Sequence, residues 1–190
     1  GEQRPVIVHR LDKDTSGVVI TAKNNAAQEA LAEQFRERSV QKLYLAVVRG
    51  TPRRTRERIE GKIARDPRNR KRFAVSGGNG KEATTDYRVL KRWSAYAFVA
   101  VHPITGRTHQ IRVHMKHVGT PVLGDELYAR RDPMFPDVGL MLHAYRLTIR
   151  LPTSGEVQTF VAPLPPRFKR VLQALADLPS EMSPAQRQPL

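Results

Sequence analysis

The first residues able to do chemistry come early, in HRLDKDTSG (His9 to Gly17). Asp12 stands two residues after Arg10. Lys13, Asp14, Thr15 and Ser16 crowd around it, between the β-branched tracts Val6-Ile7-Val8 and Val18-Val19-Ile20. A lone loop carboxylate is most simply satisfied by backbone amides or by Arg10. The polar company raises a second reading, a carboxylate held in a cleft as nucleophile or base. That role needs the ionised form, which burial opposes and a fixed arginine favours. The planar guanidinium fork suits the task.

A source for that arginine is GRTHQIRVH (106–114), with Arg107, His109, Arg112 and His114. On a helix, His109, Arg112 and Lys116 share a face beside the apolar stripe of Ile111, Met115 and Val118. Arg112 is flanked by Ile111 and Val113, near the buried edge, where an unpaired cation is costly. It therefore requires a carboxylate, and Asp12 is the expected partner. His114 and His117 are three apart, with others at 102, 109 and 143. Without an HExxH pattern, core or phosphate-contact histidines are favoured over a metal centre, and no metal is expected. SGGNGK (76–81) lacks the GxxxxGK[ST] spacing of a phosphate loop and reads as a hairpin turn. Tyr44 opens the apolar tract YLAVV and by itself is an ordinary core or edge tyrosine.

The elements that must hold these residues follow from periodicity. The two β-branched tracts beside the Asp12 loop read as strands. Asn25, with Gln28 as a partial capping box, starts an amphipathic helix over 26–38. Residues 44–48 are a strand. From Arg49 to Arg72 there are eleven Lys/Arg against three acids, more than half of the net charge. This span reads as a flexible solvated loop or, functionally, as an arm that tracks a nucleic-acid backbone. Thr84 to Trp93 and 96–101 form a hairpin around Ser94. Residues 102–109 feed a helix that Gly119 ends. Strands at 142–152 and 157–165 flank a turn at Ser154-Gly155. A last helix carries Phe168, Val171, Leu172 and Leu175. The fold class expected is α+β, a mixed and largely antiparallel sheet flanked by helices.

Composition narrows the partner. The 190 residues carry a formal charge of +15 and no cysteine. The first points to a polyanion; the second excludes disulfides and thiolate metal sites and suits a reducing cytoplasm. No apolar run approaches the ~20 residues of a spanning helix, so no membrane partner is expected.

HRLDKDTSG resembles the signature of the RluA-type pseudouridine synthases, in its RluD-like branch. The resemblance continues through KLYLAVVRG (42–50), GKEATTDYRVL (80–90), GRTHQIRVH (106–114), PVLGDELY (121–128) and LHAYRLTIRLP (142–152), and covers roughly residues 5 to 165. It implies isomerisation of uridine to pseudouridine in ribosomal RNA, or in transfer RNA, without cofactor or metal. It implies Asp12 as catalytic aspartate, Arg112 as its partner, Tyr44 beside the uracil and Arg10 entering the RNA where the target nucleotide has left. Lys13, Thr15, Arg107, His109 and Gln110 are then expected to contact substrate RNA. Whether Asp12 attacks the ribose, attacks the ring or assists deprotonation stays open. Residues 1–178 are expected to form the catalytic domain, lacking the N-terminal strands of the family, and 179–190 a disordered tail. A cytoplasmic monomer is expected. Two other classes compete: a non-catalytic RNA-binding or ribosome-assembly factor on the same scaffold, which would not need an acid in a basic cleft, and a DNA-binding helical protein, which the strand-rich surroundings disfavour.

Overall fold

A computed structural model describes residues 5–178; the tail expected from Pro179 onward lies outside them. In chain order the elements are β1 (Val6–Ile7), β2 (Ser16–Gly17), β3 (Thr21–Ala22), α1 (Asn25–Arg36), β4 (Gln41–Arg49), β5 (Arg56–Arg65), β6 (Phe73–Ser76), β7 (Lys81–Arg92), β8 (Tyr96–Pro103), α2 (Gln110–His117), β9 (Leu142–Arg150), β10 (Val157–Val161) and α3 (Pro166–Ala176). The main sheet runs β10-β9-β4-β8-β7-β5-β6, every neighbour antiparallel. β2 joins it by pairing parallel with β9, and β1 pairs with β3 in a separate ribbon. This is the mixed, largely antiparallel α+β arrangement expected.

Burial follows the side-chain pattern. β4 is central, and Ala46, Val47 and Val48 are fully buried, so its apolar run is continuous. β7 alternates: Ala83, Thr85, Tyr87 and Val89 face the core, and the residues between them do not. α2 packs across β5 to β8, with Ile111 and Met115 in the principal core. Phe168, Val171 and Leu175 of α3 join the same core. α1 covers β3 and β9 through Leu31.

Four local expectations are corrected. Val18 to Ile20 is not a strand. The Ile20 N–H donates to His9 Nε2 at 2.9 Å, and the ladder to β1 is taken by Thr21 and Ala22. The cap of α1 is Asn24, whose extended backbone lets Oδ1 accept from Ala27 N at 2.8 Å; Asn25 is already helical. The basic span 49–72 is not a flexible loop, because 56–65 forms β5. Ile59 and Ile63 lie on its buried face, and its outer charges pair across to β7, Arg58 with Asp86 and Lys62 with Glu82. The alternation was masked by the charge. Finally, 77–80 is not a plain hairpin turn. β6 and β7 flank β5 on opposite sides, so the segment crosses over that strand. Gly80 makes the crossing possible: at φ +141° an added Cβ would stand 2.9 Å from the Ile63 carbonyl oxygen.

Candidate active site

The loop bearing Asp12 is pinned to β9. Gly17 lies against it with φ +122°, and any Cβ there would come 2.1 Å from the Ala144 carbonyl oxygen. Ser16 Oγ and His143 Nδ1 are 2.8 Å apart, and His143 Nε2 meets the Ala162 carbonyl at 2.9 Å. Arg167 of α3 donates to Ser16 Oγ at 3.2 Å. A turn then closes over Asp12, with Thr15 N–H donating to the Asp12 carbonyl at 3.1 Å. The carboxylate is thereby aimed into a cleft of about 560 Å³ between this loop, β4 and the 103–111 segment.

Arg112 reaches Asp12 from α2, Nη1 to Oδ2 at 3.4 Å. The expected pairing is present, but it is not the arginine's principal one. Nε and Nη2 hold both oxygens of Asp125, at 2.7 and 2.9 Å. Asp125 in turn accepts from the backbone N–H groups of Leu127 and Tyr128. The guanidinium lies over the Tyr128 ring, 5.1 Å from its centre. Burial opposes its charge, but the hydrogen bonds and charge of Asp125, with Asp12 adding to them, raise its pKa above the ordinary arginine value. A rigid cation is thus presented edge-on to Asp12.

Tyr44, on β4, lines the same cleft. Burial first, and the Asp12 charge second, push its phenol up to about 12, so it keeps its proton at neutral pH. Arg10 stands exposed on the cleft wall. Thr15 lines the cleft too, and its buried Oγ1 has no hydrogen-bond partner among the described residues. His109 lines it from the left-handed residue that precedes α2, its Nδ1 2.7 Å from Tyr128 Oη. It does not share the helical face drawn for it from spacing.

Two expected RNA contacts sit differently. Lys13 is exposed and outside the cleft lining. Gln110 is buried, and its amide is committed to the protein. Oε1 accepts from Thr105 Oγ1 and Arg107 N, while Nε2 donates to Thr84 O and Thr85 Oγ1. This geometry supports a role in fixing the 104–110 loop rather than an RNA contact. Arg107 lines the cleft with its Nε donating to the Glu82 carbonyl. His114, considered for metal or phosphate, is a core histidine on Thr85 Oγ1, and burial lowers its pKa to about 4.

Residues 1–117 match the RNA pseudouridylate synthase family. The chain belongs to that family. It is 47% identical over 165 residues to Ribosomal large subunit pseudouridine synthase D of Borreliella burgdorferi, covering 87% of this chain and 50% of that protein. The protein of the same name in Neisseria meningitidis is 42% identical over 193 residues, 95% of this chain and 51% of the relative. The chain therefore spans about half the length of the curated relatives it matches. Among solved structures, Human RNA Pseudouridylate Synthase Domain Containing 1 aligns with a TM-score of 0.77 at 31% identity, over 93% of this chain and 82% of that one.

The sheet described above is thus a pseudouridylate synthase fold, and its centre is held by pairings that residue type and spacing do not reveal. Asp125 lies inside the motif PVLGDELY, yet a single Asp after Gly carries no pairing signal. The pairings of Ser16 with His143 and of His109 with Tyr128 carry no signal in the sequence either, since the partners lie 127 and 19 residues apart. Lys42 also lines the cleft. No helix among the described residues is long and apolar enough to cross a membrane.

Proposed function

We propose that this protein is an RNA pseudouridine synthase that isomerises uridine in large-subunit ribosomal RNA, with Asp12 as the catalytic carboxylate. The carrying observation is the contact of Asp12 with Arg112 inside the cleft, where Asp12 is the one carboxylate among five Lys and Arg side chains of the described lining. A lone acid in so basic a cleft fits a reacting group, and the basic lining fits a polyanionic substrate.

The chemistry runs as follows. The N1–C1′ bond of uridine breaks, the base turns, and C5 joins C1′. The C5 proton leaves to water and N1 is left protonated. These atoms are hidden in folded RNA, so the nucleotide is flipped out, at a cost of about a few kcal/mol. Arg10, exposed on the wall, fills the vacated space. Asp12 acts on the extruded nucleotide as nucleophile or base, beside the fixed charge of Arg112. Tyr44 stacks on the uracil, and its protonated phenol is available as a donor. The walls keep the freed base in place for recombination. Thr15, Arg107 and His109 meet the surrounding RNA. On this reading the protein works in the cytoplasm as a monomer, with residues 1–178 as its catalytic domain and no cofactor or metal.

The test is tritium release from RNA labelled at C5 of uridine. Asp12→Ala abolishes release while RNA affinity stays within a few fold. Release at the wild-type rate from that variant ends the assignment of Asp12. Mapping pseudouridines across total RNA from a deletion strain identifies the target.

A further inference from the structure

Lys42 is a cation inside the cleft without a counter-ion among the described residues. It lies two residues before Tyr44 on β4, and although the β4–β9 register shifts between Leu43 and Tyr44, both residues line the cleft, about 7 Å apart along the strand. Its ammonium makes a single weak hydrogen bond, to the Thr105 carbonyl at 3.4 Å, and no ion pair among the described residues. The backbone closes over it, since a Cβ on Gly106 would stand 3.6 Å from Nζ. Its near neighbour is His9, whose pKa its charge helps to lower. Burial in turn brings Lys42 itself down to about 8.

A lysine stem is long enough to carry its charge to water, and surface lysines do so. This one is held where its charge is partly desolvated and only one protein oxygen, at long range, repays it. The remaining partner must come from what fills the cleft. A neutral carbonyl of the base would offer a hydrogen bond alone. A phosphate offers charge as well, and the compact ammonium of lysine serves it as a point charge. The spacing agrees: a single nucleotide bridges the gap, with its base at Tyr44 and its phosphate at Lys42.

We propose that Lys42 is a built-in anchor for one backbone phosphate of the extruded nucleotide, setting its depth so that base and ribose arrive at Tyr44 and Asp12. This rests on the RNA-modifying role proposed above.

The test uses a fluorescein-labelled stem-loop RNA centred on a uridine that the protein modifies, made with a neutral methylphosphonate on either the 5′ or the 3′ side of that uridine. Affinity is read by anisotropy for wild type, Lys42→Met, Lys42→Gln and Lys42→Arg. One methylphosphonate weakens wild-type binding roughly tenfold, as expected for a charge-assisted hydrogen bond. Lys42→Met and Lys42→Gln each weaken binding of unmodified RNA by a similar factor, and combining either with that methylphosphonate adds nothing more. Lys42→Arg retains affinity. The slope of log affinity against log salt falls by about 1 in the two neutral variants. Full additivity with both methylphosphonates, or undiminished affinity of both neutral variants, overturns the proposal. So does a fall in turnover at saturating RNA with affinity intact. Tritium release is scored in parallel, so failure of the isomerase reading and failure of the anchor register on separate measurements.

Discussion

Arg112 grips Asp125 with two hydrogen bonds, at 2.7 and 2.9 Å, and reaches Asp12 with one at 3.4 Å. The strong pair is wholly buried, with 7% of the arginine side chain and none of the aspartate exposed. The weak pair opens onto the cleft. The division makes physical sense. A guanidinium has five donors in a fixed fork, and two of them spent on Asp125 leave Nη1 pointing in one direction only.

Asp125 is therefore a positioning residue. Asp125→Asn keeps the shape but turns an amide donor toward the guanidinium, so turnover falls roughly 100-fold, the scale of an ångström-sized misplacement. RNA affinity stays near wild type. Asp125→Ala strands a buried cation and costs about 3–5 kcal/mol of stability. Arg112→Lys also loses turnover, since one ammonium cannot make both contacts. Single-turnover tritium release with urea unfolding separates these effects; wild-type turnover in Asp125→Asn would refute the positioning role.

Gly17→Ala tests the attachment of the Asp12 loop. The new methyl would overlap the Ala144 carbonyl and force an alanine into φ +122°. Overpacking and strain together remove at least about 2 kcal/mol, and release of tritium is lost as the loop lifts from β9. A urea midpoint equal to wild type would show that the loop tolerates the displacement.

Lys42 makes a signed prediction about pH. Burial takes its pKa from 10.5 down to about 8 in the folded protein. Between those values the unfolded chain holds a proton that the folded chain has released. The contribution of this residue to stability therefore becomes more favourable as pH rises from about 8 to 10.5, and its penalty is complete below 8. Lys42→Met removes the penalty, so the variant is more stable than wild type at pH 7 and its advantage shrinks toward pH 10. Urea midpoints of both proteins across that range check it; a difference independent of pH contradicts the burial account.

The tip between β5 and β6 carries Arg65, Arg68, Arg70, Lys71 and Arg72, none in an ion pair among the described residues. It is ordered by its own turns, with Asp66 and Asn69 accepting from Arg68 and Lys71 N–H. Phe73 at its base meets the ring of His109 in the cleft lining. Changing Arg68, Arg70 and Lys71 together to Gln lowers the salt slope of RNA binding by about 2–3, raises KM and leaves kcat unchanged. An unaltered slope means that the RNA does not pass over this tip.

How much of this was legible in the residues is best judged one position at a time. That Arg112 requires a carboxylate could be read before any coordinates, from a cation at a buried edge, and Asp12 is one of the two it meets, with Asp125 the stronger. The hairpin around Ser94, the helix ended by Gly119 and the last helix with Phe168, Val171 and Leu175 follow from period and punctuation alone. β5 was obscured, because eleven basic residues hide the two isoleucines that make its inner face. Ladders to β7 and β6 and the burial of Ile59 and Ile63 hold the strand, while Asp86 and Glu82 of β7 pair with two of its outer charges.

The sequence by itself determined the family motifs, the basic character and the acid at the heart of the cleft, since these reside in residue type and local spacing. Tertiary structure alone decided that Asp125 is the principal partner of Arg112, that His143 holds Ser16, and that Lys42 has no anionic partner among the described residues. Each of those depends on which distant groups share a low-dielectric space, where an ion's energy is set by its neighbours rather than by its own chemistry. Chain order carries no record of that sharing until the sheet has closed.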